Sequence, residues 1–223
     1  MSVELIPFLT WNDKTVPNAL EVFEESKDAP ANYWGFKDTG IEKEEAVELS
    51  NAMKNAGKTI VYESLSEKED DCIKVAEFAV QMKFKYLIGM QYFDSVHHLL
   101  KKNNIKFIPT CGKRSGIPRM LHGTIDDVIH DGKTIQAKGV DGLCLSVYRF
   151  TGGNPEELAE RFINEIHLPV IVTGSINTEQ RLGVVKKLKP WGFTIGSAFF
   201  KNEFGKGLSF AEQIKKVVDY LNS

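Results

Sequence analysis

Two stretches late in the chain carry the same pattern. Val170-Ile171-Val172-Thr173-Gly174-Ser175-Ile176 and Phe193-Thr194-Ile195-Gly196-Ser197-Ala198-Phe199 are apolar runs that each end in Gly-Ser. Glycine lets the backbone approach a ligand closely and take up unusual dihedrals. Successive backbone N–H groups in such turns can hold an anion without help from a lysine. The pair predicts a phosphate grip at Gly174, Ser175, Gly196 and Ser197, with a short helix over 197–203 adding its N-terminal donors.

Other polar residues also stand where apolar runs stop. Lys37 follows Tyr33-Trp34-Gly35-Phe36, and Glu63 follows Thr59-Ile60-Val61-Tyr62. If these runs are strands, Lys37 shares a side with Gly35, and Glu63 shares a side with Val61. Adjacent parallel strands lie about 4.8 Å apart, so the two charges can pair directly. A lysine–carboxylate pair could shuttle a proton, and a desolvated lysine could form a Schiff base with a carbonyl. Asp13 is a third catalytic candidate, as a general base, though it could equally cap the first helix. Asn12, Asp38, Arg149 and Arg114 are candidates for substrate binding. Arg149 carries the planar fork that reads carboxylate or phosphate. Arg114 belongs to a 111–122 segment with two glycines, a proline and three basic residues, which reads as a mobile lid over an anion. Asp13, Asp38 and Glu63 could meet around a magnesium ion, but no carboxylate-lined or H-E-x-x-H pattern is present, so no metal is assigned. Cys72, Cys111 and Cys144 have no short spacing; Cys72 and Cys144 read as small buried hydrophobes, and Cys111 has no fixed histidine partner.

These residues need a scaffold that brings strand ends together. Eight apolar runs are spaced along the chain, at 5–10, 32–36, 59–63, 85–90, 106–111, 142–148, 169–174 and 192–197. Their near-continuous apolar character suits parallel strands buried on both faces. Amphipathic segments fall between them, with helices expected over 17–27, 41–56, 67–82, 92–102, 125–138, 155–166, 178–188 and 210–221. Pro17, Gly57, Ser66-x-x-Glu69, Thr124-x-x-Asp127, Asn154-Pro155, Asn177-x-x-Gln180 and Ser209-x-x-Glu212 supply start and stop signals. Strict strand–helix alternation predicts one α/β domain over 1–223, a single (β/α)8 barrel, with chemistry at the C-terminal ends of the strands. No G-x-G-x-x-G follows the first strand, which argues against a doubly wound sheet and a dinucleotide; no cofactor is expected.

The segments VTGSI and FTIGSAFF resemble the strand-7 and strand-8 phosphate grip of the ribulose-phosphate-binding type of (β/α)8 barrels. That superfamily includes ribulose-phosphate 3-epimerase, the tryptophan- and histidine-biosynthesis barrels and geranylgeranylglyceryl-phosphate synthase. The resemblance is specific over about 169–200 and implies a small phosphorylated metabolite as partner. The opening Asn12-Asp13-Lys14-Thr15-Val16-Pro17, with Gly35-Phe36-Lys37-Asp38-Thr39-Gly40, is similar to a bacterial barrel family with no settled activity. That second likeness implies a fold and no reaction.

The 223 residues carry 28 basic and 30 acidic side chains, for a formal net charge of −2. Such a balance argues against nucleic acid, which needs a basic surface, and against an anionic membrane. No apolar stretch is long enough to span a bilayer, and the first residues lack a basic signal region, so a cytoplasmic location is expected. Self-association is left open. The leading expectation is an isomerase, epimerase or carbon–carbon lyase that uses Lys37 and Glu63. The alternative is a non-catalytic sensor that binds a phosphorylated ligand and signals to a partner.

Overall fold

The computed structural model describes residues 3–223. Eight principal strands run through it: β1 Glu4–Pro7, β2 Tyr33–Lys37, β3 Thr59–Glu63, β4 Tyr86–Ile88, β5 Lys106–Ile108, β6 Leu143–Ser146, β7 Val170–Thr173 and β8 Gly192–Ile195. The helices between and after them are α1 Ala19–Ser26, α2 Lys43–Asn55, α3 Glu69–Gln81, α4 Asp94–Lys102, α5 Ile125–Gln136, α6 Pro155–Glu165, α7 Glu179–Leu188, α8 Ser197–Phe200 and α9 Phe210–Asn222. Pairing is parallel from β2 through β5, and from β6 through β7 and β8 to β1. Single parallel bridges, Phe8 to Gly35 and Thr110 to Cys144, join these two runs and close a (β/α)8 barrel.

The period-2 alternation of strands sorts each run into two layers. Trp34, Phe36, Ile60, Tyr62, Leu87, Phe107, Leu143, Leu145, Val170, Val172 and Phe193 face outward and pack beneath the helices. The inward row is lined by Ile6, Phe8, Val61, Tyr86, Ile88, Ile108, Cys144 and Ile171. Two residues further along several of these same inward rows stand Glu63, Thr110, Ser146 and Thr173. The barrel interior is therefore apolar at its base and polar at its C-terminal mouth. Gly35 leaves the volume that Phe8 fills: a Cβ there would lie 2.3 Å from the Phe8 ring. Phe8 thus plugs the centre beneath Lys37, which follows Tyr33 and Gly35 on the inward row of β2.

Local signals set most helix starts. Thr124 with Asp127 and Ser209 with Glu212 form reciprocal capping boxes, and the Asn154 side chain caps α6, which opens on Pro155. Three expectations are corrected. Ser66 does not cap α3, which starts at Glu69; its hydroxyl instead meets that of Ser64. α7 is capped by Thr178 rather than Asn177. α1 begins at Ala19, two residues past Pro17. No helix among the described residues is long and apolar enough to cross a membrane.

Candidate active site

The site begins with a two-residue turn. Thr10–Trp11 pairs antiparallel with Lys14–Thr15, and the loop between them is Asn12-Asp13. Both loop residues have positive φ, 48° and 64°. A tight hairpin turn of the I′ kind demands this, and asparagine and aspartate tolerate it best after glycine. The hairpin is fixed to β2 by Thr15, whose hydroxyl donates to the Lys37 carbonyl at 2.8 Å and accepts from the Lys37 N–H at 2.9 Å. On the other side, the Asn12 N–H donates to Ser197 Oγ at 3.1 Å. Asp13 is thereby held over the mouth of the barrel.

There it meets two cations. Lys37 Nζ lies 2.9 Å from Asp13 Oδ1 and 3.4 Å from Glu63 Oε2. β2 and β3 align Lys37 opposite Glu63. Arg149, at the end of the 3-10 turn Val147–Arg149 after β6, closes its fork on Asp13, with Nη1 to Oδ2 at 2.8 Å and Nη2 to Oδ1 at 3.1 Å. An ionic chain Glu63–Lys37–Asp13–Arg149 therefore crosses the mouth, and its charges balance. Burial alone would raise the Asp13 pKa, but the fields of Lys37 and Arg149 and the hydrogen bonds from them outweigh it. They hold the carboxyl at about 2.

That depression links stability to pH. The unfolded chain protonates Asp13 near its ordinary value of 3.8, and the folded chain only near 2. The stabilisation, about 2 kcal/mol, is thus fully present above pH 4 and is lost as pH falls through 2. The thermal midpoint of Asp13→Asn, measured between pH 5 and pH 2, should fall less steeply than that of the unaltered protein. Parallel slopes would contradict this coupling.

Gly89 makes room for Glu63. It follows β4 with φ +86°, and a Cβ would come within 2.8 Å of Glu63 Cγ. Ser146 and Thr173 share a hydroxyl contact of 3.0 Å on the opposite wall. The Gly174-Ser175 turn has φ of 78° and 61°. A Cβ on Gly174 would lie 3.1–3.2 Å from the Arg149 side chain, so the turn and the guanidinium are in contact. Arg149 Nε is buried there without a hydrogen-bond partner. Among the described residues, the N–H groups of Ser175, Ser197 and Ala198 find no acceptor in the protein. α8 is a single turn, shorter than the 197–203 expected, because Asn202 enters the left-handed region.

Most of these groups line one cavity of about 540 Å³. It gathers Asn12, Asp13, Lys37, Glu63, Arg114, Arg149 and both Gly-Ser turns. A groove of about 740 Å³ lies outside the mouth between the Lys113–His122 segment and α5. None of the four members of the ionic chain reaches that groove, and all four line the smaller cavity.

Four expectations change. Asp38 does not line the cavity. It lies one residue beyond Lys37 and so on the opposite side, where its carboxylate accepts from Ser64 Oγ at 2.7 Å. Burial, aided by the field of Glu63, raises its pKa. Asp13, Asp38 and Glu63 do not converge: Lys37 stands between two of them, and among the described residues no three metal-binding side chains cluster. Arg149 is not free to read a substrate carboxylate with its fork, which Asp13 occupies. The 111–122 segment is a β-hairpin, Lys113–Ser115 with Met120–His122, tied down by the Thr151 N–H to the Leu121 carbonyl. Sequence reasoning missed Thr15, Gly89, Ser146 and Lys201. The first three end or follow strands; Gly89, Ser146 and Lys201, which is one helical turn past Ser197, border the cavity. Cys72, Cys111 and Cys144 are buried, and burial pushes the Cys111 thiol up, away from a nucleophile's range.

No protein-family model matches the chain, and no curated protein sequence does. Solved structures do. Orotidine 5'-monophosphate decarboxylase of Methanocaldococcus jannaschii aligns over 100% of both chains with 17% identity and a TM-score of 0.71. A tryptophan synthase structure from M. tuberculosis aligns over 99% of this chain and 93% of its own, with 11% identity and a TM-score of 0.69. Phosphoribosylanthranilate isomerase of Thermotoga maritima aligns over 99% and 98%, with 13% identity and a TM-score of 0.64. At these identities the likeness is one of fold: the chain has the barrel of these enzymes.

Proposed function

We propose that this chain is an enzyme acting on a small phosphorylated metabolite, with proton-transfer isomerisation as its chemistry. The observation that carries the reading is the convergence, in one cavity, of two Gly-Ser turns with acceptor-free N–H groups and a buried Lys37–Glu63 pair. Two of the structural neighbours are named for reactions on phosphorylated substrates, orotidine 5'-monophosphate and phosphoribosylanthranilate, which supports the same class here. Phosphate would bind at Gly174, Ser175, Gly196 and Ser197, with Arg149 Nε beside it.

The reacting carbons would then lie near Lys37 and Glu63. The Glu63 carboxylate removes the proton from a hydroxyl-bearing carbon α to a carbonyl, and the Lys37 ammonium donates a hydrogen bond to the enediolate oxygen; Glu63 then returns the proton to the former carbonyl carbon while the α-hydroxyl proton passes to that carbon's oxygen, which leaves the new carbonyl at the α position. Asp13 and Arg149 position Lys37. Proton transfer is preferred to Schiff-base lyase chemistry because an attacking Lys37 amine would first have to give up its proton and both ion pairs. Borohydride trapping of an adduct on Lys37 in the presence of substrate would reverse that preference.

The test is a thermal-shift screen with phosphorylated sugars, acids and prenyl phosphates, each beside its dephosphorylated parent. A ligand at 100 times its Kd should add about 2.7 kcal/mol. Shifts confined to the phosphorylated members support the reading; equal shifts, or none, refute it.

A further inference from the structure

Arg114 is a cavity residue with a buried guanidinium nitrogen and no ion-pair partner among the described residues. It extends from the hairpin after β5, opposite Leu121, and borders the cavity beside Glu63 and Thr110. Its Nη2 is buried and has no hydrogen-bond partner. Among the described residues no carboxylate lies within ion-pair distance of it, although Arg119 of the same hairpin reaches Glu67 at 3.3 Å. Glu63 and Glu67 act on Arg114 only through their fields, and burial, the dominant effect, lowers its pKa. The contrast with Arg149 is direct, since that fork is closed on Asp13. Burying a guanidinium nitrogen without an acceptor is costly, and the cost is recovered when a ligand brings the anion.

We infer that the substrate carries a carboxylate in addition to its phosphate, and that Arg114 receives it. This rests on the phosphate reading above and names the substrate class within it. The planar fork matches a carboxylate in two parallel hydrogen bonds. A second phosphate fits less well, because the fields of the nearby Glu67 and Glu63 disfavour a dianion. The Arg114 end of the cavity lies toward Glu63, whereas Arg149 and Gly174 mark the phosphate end. A substrate holding both would present the atoms between its two anions to Lys37 and Glu63.

The probes are ω-phosphonocarboxylates of increasing chain length, from phosphonoacetate to 6-phosphonohexanoate, each paired with the alkylphosphonate that lacks the carboxylate. Binding is measured by titration calorimetry on the full chain. At least one length should bind about 10- to 100-fold more tightly than its alkylphosphonate partner, the worth of a charge-assisted pair. Arg114→Gln should erase that gain and leave alkylphosphonate affinity within about two-fold, which also reports that the variant is folded. Arg114→Lys, which keeps charge and loses the fork, should forfeit most of it. The inference is overturned if no length shows a gain, or if the gain survives in Arg114→Gln. If neither series binds, the phosphate reading fails and the inference falls with it.

Discussion

Lys37→Met should remove catalysis and destabilise the protein at once. A positioned acid–base group contributes about 10²- to 10⁴-fold to rate, so turnover should fall by that order. The stability effect has a separate cause. Lys37 is the only cation within ion-pair distance of Glu63 among the described residues, while Asp13 retains Arg149. The Lys37 and Glu63 side chains are 7% and 9% exposed. Removing one partner of such a buried pair costs about 3–5 kcal/mol, because the other charge is left uncompensated. Lys37→Met/Glu63→Gln should therefore recover most of the stability and none of the activity, as read by chemical denaturation and by turnover. If Lys37→Met keeps full turnover, the ion pair is an inert plug. If it binds phosphorylated ligands normally and the unaltered protein never turns them over, the barrel is a binding module.

Gly196→Ala carries the second large effect, on affinity. Its backbone sits at φ −120° and ψ −93°, where it closes β8 onto the Ser197 turn. A Cβ there would be 2.4 Å from Thr10 Oγ1 and 3.1 Å from the Thr10 carbonyl oxygen. The hydroxyl can rotate, but the carbonyl belongs to the hairpin that carries Asp13. The turn must shift, and with it the N–H groups of Ser197 and Ala198. Phosphate affinity should fall at least tenfold, and stability by about 1–3 kcal/mol, the usual cost of overpacking. Thr10→Ala removes the nearer clash, so the double variant should regain part of both. Unaltered phosphate binding by Gly196→Ala would show that this turn does not hold the anion.

The barrel was readable in the sequence because burial on both faces leaves few polar residues inside a strand. Lys37 and Glu63 stood out as the places where apolar runs stopped, and alternation set them on the inward row. The Asp13–Arg149 pair could not be read in the same way. The two are 136 residues apart, and only barrel closure and the hairpin bring them together. That hairpin did have a local signal, since Asn12-Asp13 is a favourable pair for a turn with two positive φ values, but a helix cap competes for the same residues. Asp38 was misplaced by a single step along β2: alternation that turns Lys37 inward turns its neighbour away. The basic, glycine-containing 111–122 segment looked mobile by composition. Its anchoring depends on contacts with Leu121, Phe150 and Thr151, which no local pattern announces.

Phosphate held at the β7 and β8 turns must be reported by the backbone amides of those turns. The most direct measurement is a titration of inorganic phosphate into isotopically labelled protein, followed through the backbone amide resonances. Gly174, Ser175, Gly196, Ser197 and Ala198 should shift along one common saturation curve, and Gly196→Ala should weaken it. Shifts absent from these amides, or confined to the groove beside α5, would contradict it.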